Sequence, residues 1–203
     1  MTYSLSVSDQ AVATQLIDPP HFISFGDLQE GRVHPPKSAG LYAWWFSALP
    51  PGVPEDRLRK RRGCWLLYVG IGPQRPSAFG KVSQSHLAKR LRSHWRPHCS
   101  RSTLRFSLAA LLAGEIGLEG FTNSAGKVEL EGDGEARLSE WMREHAFVCW
   151  AEHVEPWRVE EGLIAEAAVD EPRLPLNIDG SGDPFRLVLK AKRSDLKRGP
   201  SAR

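Results

Sequence analysis

The sequence has few cysteines, no long apolar run and no secretory signal. Three cysteines among 203 residues cannot all pair with one another, and no CxxC spacing suggests a zinc site. No apolar run approaches the roughly 20 residues that cross a bilayer. The N-terminus lacks the basic start and apolar stretch of a signal peptide. These absences favour a cytoplasmic protein without a membrane partner, and the length favours one domain with appendages.

Acidic residues are also missing from one long stretch, His86 to Arg105, although the net charge of the chain is only +3. Positive charge without nearby acids repels itself unless an anion binds, and phosphate backbones are the commonest such partner. The candidate nucleic-acid-binding residues in this stretch are Lys89, Arg92, Arg96, Arg101, Ser102 and Arg105. Ser102 opens a helix, where backbone N–H groups favour a phosphate, but a plain serine cap explains it equally well.

The C-terminal segment is basic too, with seven Lys or Arg residues and one Asp between residues 185 and 203. A final helix and tail are predicted there, and a solubilising surface is as good an interpretation as a binding surface. The sequence thus divides into an irregular lead-in with at most one short element at 1–37, a core at 38–180 and a basic helix and tail at 181–203.

The hydrophobic pattern predicts an α+β fold. Buried strands are expected at "GLYAWWF", "CWLLYVG" and "AFVCWAEHV", and the first two are close enough in sequence to pair. Amphipathic spacing predicts helices in "SHLAKRLRSHW", "STLRFSLAALLAG", "ARLSEWMREH" and "EPWRVEEGLIAEAAVD". The segment "GLEGFTNSAGKVELEGDGE", residues 117–135, is either a small hairpin or a loop. The prediction is a mostly antiparallel three-stranded central sheet flanked by helices.

Five short motifs follow one another in a recognisable order. They are "GLY" at 40–42, "YVG" at 68–70, the helix "LAKRLRSHW", the helix "VEEGLI" and "PLN" at 175–177. Each is weak alone, but together they resemble the GIY-YIG nuclease superfamily over roughly residues 39–178. Ile71 stands where the excision-repair branch carries lysine, and Arg90 is followed by His94 four residues later. The resemblance is therefore closer to the restriction-enzyme branch.

This resemblance implies a metal-dependent DNA endonuclease, in restriction and defence or in DNA repair. It implies catalytic roles for Tyr42, Tyr68, Arg90, His94, Glu160 and Asn177, with Tyr68 as general base or water-positioning group and Tyr42 as its partner. Glu160 would hold Mg²⁺ or Mn²⁺, and Glu161 is the alternative ligand, because only one of two adjacent helical residues can face a site. A phenol with a pKa of about 10 needs a nearby cation such as Arg90 to act as a base.

The alternatives differ in activity and substrate. A catalytically silent nucleic-acid-binding module of the same fold would keep the basic surface without cleaving. Double-stranded DNA is favoured over single-stranded DNA as the partner, and RNA remains an alternative. A palindromic target would favour a homodimer by symmetry.

Overall fold

The computed structural model describes residues 6–76, 83–169, 173–178 and 183–199, with the side chains of 166–169 excluded. The elements in chain order are α1 (Val7–Ile17), β1 (Ile23–Ser24), α2 (Phe25–Gln29), β2 (Gly40–Phe46), β3 (Lys60–Arg61), β4 (Cys64–Gly72), α3 (Leu87–Trp95), α4 (Thr103–Leu112), β5 (Gly120–Thr122), β6 (Val128–Leu130), α5 (Gly134–His145), β7 (Ala146–Glu152), α6 (Pro156–Val169) and α7 (Phe185–Arg198). A short 3₁₀ turn, Cys99–Arg101, precedes α4.

The central sheet is antiparallel, in the order β1-β7-β2-β4-β3. The α+β class is confirmed, and β2, β4 and β7 are the three predicted strands. The expectation of three strands in this sheet is wrong, since the described residues form five. Both additional strands lie at the edges and are two residues long, which is too short to produce a hydrophobic alternation in the sequence. Within the predicted hairpin or loop segment, β5 and β6 pair as an antiparallel hairpin.

The sheet is covered on both faces. Alternate residues of β2 point to opposite sides, so Tyr42, Trp44 and Phe46 enter one core and Leu41, Ala43 and Trp45 enter the other. Helices α3, α4 and α7 supply apolar side chains to the first core, and α1 and α6 supply them to the second. A strand buried on both faces reads as a continuous apolar run, which is why "GLYAWWF" shows no alternation.

The N-terminal segment is more ordered than an irregular lead-in. Helix α1 begins with a capping box, in which Ser6 and Asp9 each accept from the other's backbone N–H. Ala13 and Leu16 of this helix are buried with Cys149 of β7. Because β1 also pairs with β7, residues 6–37 contribute to the core around the sheet. The predicted boundary at 180/181 lies outside the described residues.

No helix within the described residues is long and apolar enough to cross a membrane. Helix α7, at the end of the chain, is amphipathic rather than apolar, and it buries Phe185, Leu189 and Leu196 against the first core.

Candidate active site

The two tyrosines of the triplets lie on the same face of the sheet. Tyr42 pairs with Gly70 and Trp44 pairs with Tyr68, so the tyrosines are diagonal neighbours on adjacent strands. Their ring centroids are 6.4 Å apart. A Cβ atom at position 70 would lie 2.4 Å from the Tyr42 hydroxyl oxygen, so the glycine of the second triplet makes room for the tyrosine of the first.

Helix α3 places Arg90 and His94 beside these tyrosines. Their spacing of four residues puts them one turn apart on one helix face. Imidazole Nε2 of His94 is 2.8 Å from the Tyr42 hydroxyl, and its Nδ1 is 2.7 Å from the hydroxyl of Ser102. Gly72 lets α3 approach the sheet, because a Cβ there would lie 2.9 Å from Cγ of Arg90. The close contacts at Gly70 and Gly72 explain why two of the last three residues of β4 are glycines, since a side chain at either position would collide with a residue of the cluster.

Burial controls the protonation of this cluster. It raises the pKa of Tyr42 and holds that of Tyr68 well above its usual range, although the positive charge of Arg90 acts in the opposite direction. Arg90 thus lowers the phenol pKa in the expected direction, but burial has the larger effect, and in the metal-free protein both tyrosines are neutral hydroxyl groups at neutral pH. Burial lowers the pKa of His94 to about 3, with help from the charges of Arg90 and Arg105.

The low pKa of His94 implies that the free energy of unfolding decreases in acid. An exposed histidine in the unfolded chain binds a proton near pH 6.5, whereas folded His94 does so only near 3, so stability falls as the pH drops below about 6.5. Between pH 7.5 and 5 the wild type should lose about 2 kcal/mol more unfolding free energy than His94→Gln. Urea denaturation at both pH values measures this difference. The exposed His98→Gln is the matched control, and an unchanged pH response in His94→Gln would contradict a neutral His94.

Glu160 enters the cluster from α6. Burial raises the pKa of its carboxyl to about 7, although Arg90 opposes the shift. Within the described part of the chain, Glu160 has no ion pair. Its neighbour Glu161 instead pairs with Arg75, at 2.9 Å. The two adjacent glutamates thus differ, because one faces the cluster and the other is held by an arginine at the surface.

A pocket of about 170 Å³ joins four of the six predicted catalytic residues. Its walls include Tyr68, Gln74, Arg90, Thr103, Glu160, Ile164, Asn177 and Ile178. Tyr42 and His94 do not line this pocket; their rings lie next to that of Tyr68, which does. The sequence reasoning missed Gln74, which follows the second triplet and belongs to no motif; its only signal was its place just beyond the end of β4.

Asn177 reaches the pocket but uses its amide elsewhere. Its Oδ1 accepts from the backbone N–H of Val69 at 2.9 Å, and its Nδ2 donates to the Val69 carbonyl at 2.8 Å. The N–H of Leu176 also donates to the carbonyl of Leu67. The "PLN" segment therefore binds the backbone of β4 on both sides of Tyr68, which fixes the position of that tyrosine.

The structure separates the predicted nucleic-acid-binding residues into two groups. Lys89, Arg92, Arg96 and Arg101 are exposed and line a groove of about 550 Å³, which we call the α3 groove; its other walls are Ser93, Pro97 and His98. Ser102 and Arg105 are buried instead, and the expectation that they contact nucleic acid is wrong for this conformation.

The buried pair has a structural explanation. Ser102 caps α4 by accepting from the N–H of Arg105, and the same hydroxyl bonds to His94. Arg105 donates to Glu135 at 2.6 Å and to the hydroxyl of Ser139 at 3.0 Å. A charge placed at this depth requires a partner, and Glu135 on α5 provides it. Charge patterning in the sequence could not distinguish this inward arginine from its exposed neighbours.

The pocket fits a cation that keeps most of its water ligands. The described residues contain no group of three or more His, Cys, Asp or Glu side chains that could hold a metal ion. Mg²⁺ typically binds through only one or two carboxylates and retains several waters. Burial raises the pKa of the Glu160 carboxyl to about 7 because the charge of Arg90 offsets only part of the lost hydration, and a divalent cation would supply further positive charge. Glu160 is therefore suited to hold Mg²⁺ or Mn²⁺.

The fold and the pocket define a small α+β domain with a tyrosine, arginine and glutamate site, and a family comparison agrees. The family model described as the GIY-YIG catalytic domain matches residues 40–198, from the start of β2 to the end of α7. The chain belongs to the GIY-YIG family, whose members are endonucleases and generally depend on a divalent metal. Neither a curated protein nor a solved structure gives a significant match to the chain.

Proposed function

We propose that this protein is a divalent-cation-dependent endonuclease that hydrolyses phosphodiester bonds in double-stranded DNA. The observation that carries the proposal is the convergence of Tyr68, Arg90 and Glu160 on one pocket. Family membership supports the reaction class. The exposed cations of the α3 groove, next to Arg90 along the same helix, support a phosphate-backbone substrate.

Each pocket residue has a chemical role that follows from its position. Arg90 binds the scissile phosphate through its planar guanidinium group, which is partly exposed and carries charge at any working pH. Tyr68 is protonated, so its hydroxyl orients the attacking water by hydrogen bonding rather than removing its proton as a phenolate. Glu160 holds the cation. When bound, a divalent cation activates water and stabilises the negative charge that develops on the phosphoryl oxygens.

Residues behind the pocket keep these groups in place. His94 binds the Tyr42 hydroxyl while Ser102 binds the opposite edge of the imidazole, so Tyr42 has a fixed orientation beside Tyr68. Asn177 holds the backbone next to Tyr68. Tyr42, His94 and Asn177 are therefore positioning residues in this proposal, and Glu160 rather than Glu161 is the metal ligand.

A restriction or defence role is the biological setting we favour over repair. It is supported by the His94 contact with Tyr42, which gives the Arg-x-x-x-His spacing a place in the site. A restriction enzyme with a palindromic target would act as a homodimer, by the symmetry of the target.

The proposal is tested by incubating the protein with supercoiled plasmid, single-stranded DNA and labelled RNA, each with Mg²⁺, Mn²⁺ or EDTA. We expect nicking or linearisation of the plasmid that requires the metal and stops in EDTA. Preferred cleavage of RNA would redirect the substrate assignment. Retained nucleic-acid binding with no cleavage under any metal would support the silent binding module instead and would overturn the proposal.

A further inference from the structure

Four cations follow one face of helix α7. Arg186, Lys190, Arg193 and Lys197 are spaced by four, three and four residues, which places them within about 60° of one another around the helix axis. The only acidic residue of α7 is Asp195, and it pairs with Arg198 away from this face. Three of these four cations, Lys190, Arg193 and Lys197, line one pocket. We call these three residues the α7 basic face.

The α7 basic face adjoins the catalytic pocket. It lines a second pocket, of about 320 Å³, together with Thr103, Ile178 and Ser194. Thr103 and Ile178 are also walls of the catalytic pocket, so the two cavities share one side. The α3 groove shares no lining residue with either pocket and lies along the helix that carries Arg90.

Two side chains of this face contact one aromatic ring of α4. The guanidinium carbon of Arg193 lies 4.1 Å from the ring centre of Phe106 on α4, and the ammonium nitrogen of Lys197 lies 5.6 Å from the same ring. Such cation–π contacts restrain the orientation of a long side chain without neutralising its charge. Within the described ranges, Lys190 and Lys197 form no ion pair, and both are exposed.

We infer that the α7 basic face binds the phosphate backbone of the substrate nucleic acid next to the scissile phosphate, in addition to the contacts made by the α3 groove. This inference rests on the proposed function, because it places the scissile phosphate at Arg90. From Lys190 to Lys197 the helix rises about 10 Å, which matches the axial rise of about three nucleotides of one strand. The face therefore contacts two or three consecutive phosphates, without reading base sequence.

The test compares two double variants of α7 with the same loss of charge. Lys190→Gln with Lys197→Gln removes two cations of the basic face. Lys192→Gln with Arg198→Gln removes two cations outside it and is the matched control. Binding to a duplex long enough to cover both basic surfaces is measured in EDTA, so that no cleavage occurs, at salt concentrations between about 50 and 200 mM. Thermal unfolding of each variant checks that the fold is retained.

The salt dependence of binding distinguishes a phosphate contact from a general charge effect. Each lost phosphate contact lowers the slope of log K against log salt by about 0.9, so the basic-face variant should show a slope shallower by about 1.8 than wild type. The control should keep the wild-type slope. Equal slopes in all three proteins, or equally reduced slopes in both variants, would overturn the inference.

A parallel plasmid assay separates this inference from the proposed function. If wild type cleaves but the basic-face variant keeps the full salt slope, the inference fails and the nuclease assignment stands. If wild type does not cleave with any metal while the variant alone loses slope, the nuclease assignment fails and α7 is a nucleic-acid-binding surface of a silent module.

Discussion

Glu160→Gln should reduce the rate of metal-dependent DNA cleavage by about 10³-fold or more, with little change in DNA binding. The proposed metal site contains one carboxylate, so the substitution removes its only charged protein ligand. Loss of a single group that stabilises transition-state charge typically costs about 10²- to 10³-fold, and loss of the cation removes more than one such interaction. Single-turnover cleavage at saturating protein measures the change in rate. A binding measurement in EDTA measures the affinity for DNA.

The same substitution should stabilise the metal-free protein at alkaline pH. The folded carboxyl has a pKa of about 7 against 4.5 for a solvent-exposed glutamate in the unfolded chain, so the folded state binds more protons between these values. Stability therefore falls as the pH rises from 4.5 to 7, and the full cost of burying the charge is present above 7. Glutamine cannot ionise, so Glu160→Gln should gain on the order of 1–3 kcal/mol near pH 8 and nothing near pH 4.5.

Glu161→Gln is the matched control, one residue away on the same helix. It removes the exposed ion pair with Arg75, which is worth at most about 1 kcal/mol, and it should keep most of the cleavage activity. Loss of cleavage in Glu161→Gln but not in Glu160→Gln would show that the neighbouring carboxylate holds the cation. If Glu160→Gln were less stable than wild type at pH 8 in EDTA, the burial of the Glu160 carboxylate would not be destabilising, and the raised pKa would be contradicted.

Tyr68→Phe should lower the cleavage rate by about 10²- to 10³-fold, the typical cost of losing one positioned hydrogen-bonding group in an active site. Its side chain lines the pocket, whereas its backbone is held by Asn177 on the adjacent residue. Removing the hydroxyl therefore leaves the fold intact and takes away the group that orients water. We expect kcat to fall while the affinity for DNA in EDTA is unchanged, which single-turnover and binding measurements separate.

Tyr42→Phe should reduce the stability of the protein more, and the cleavage rate less, than Tyr68→Phe does. Its hydroxyl is fully buried and bonds to His94, so the substitution leaves the Nε2 atom of that imidazole without its partner. The expected cost is about 1–3 kcal/mol of unfolding free energy, with a smaller loss of cleavage than in Tyr68→Phe. If Tyr42→Phe were as inactive as Tyr68→Phe and fully stable, Tyr42 would be the group that contacts the water.

Much of the cluster was predictable because its members obey local periodicities. The four-residue spacing of Arg90 and His94 places them on one helix face in any α-helix. Tyr42 and Tyr68 end up on one face because β2 and β4 pair in an antiparallel register, and their apolar runs already indicated two neighbouring buried strands. The order of these motifs along the chain was enough to indicate the family.

Other features were not predictable, since they depend on contacts between distant segments. Arg105 has the same local charge pattern as Arg101, yet it points inward because Glu135, thirty residues later, lies against it. Asn177 reads as a turn residue, and its pairing with the backbone of Val69 spans 108 residues. The two-residue edge strands form because β4 and β7 offer unpaired backbone groups, rather than because their own residues favour a strand.

The sequence by itself determined the fold class, the two tyrosine-bearing strands, the Arg90 and His94 helix and the pair of glutamates, because spacing within one element sets which side chains share a face. Only the tertiary structure decided which glutamate enters the pocket, which cations remain exposed and that Ser102 supports His94. These outcomes depend on how α4, α5 and α6 pack against the sheet. Burial then lowers the pKa of His94 and raises the pKa of Glu160, because each side chain loses the water that would stabilise its charged form.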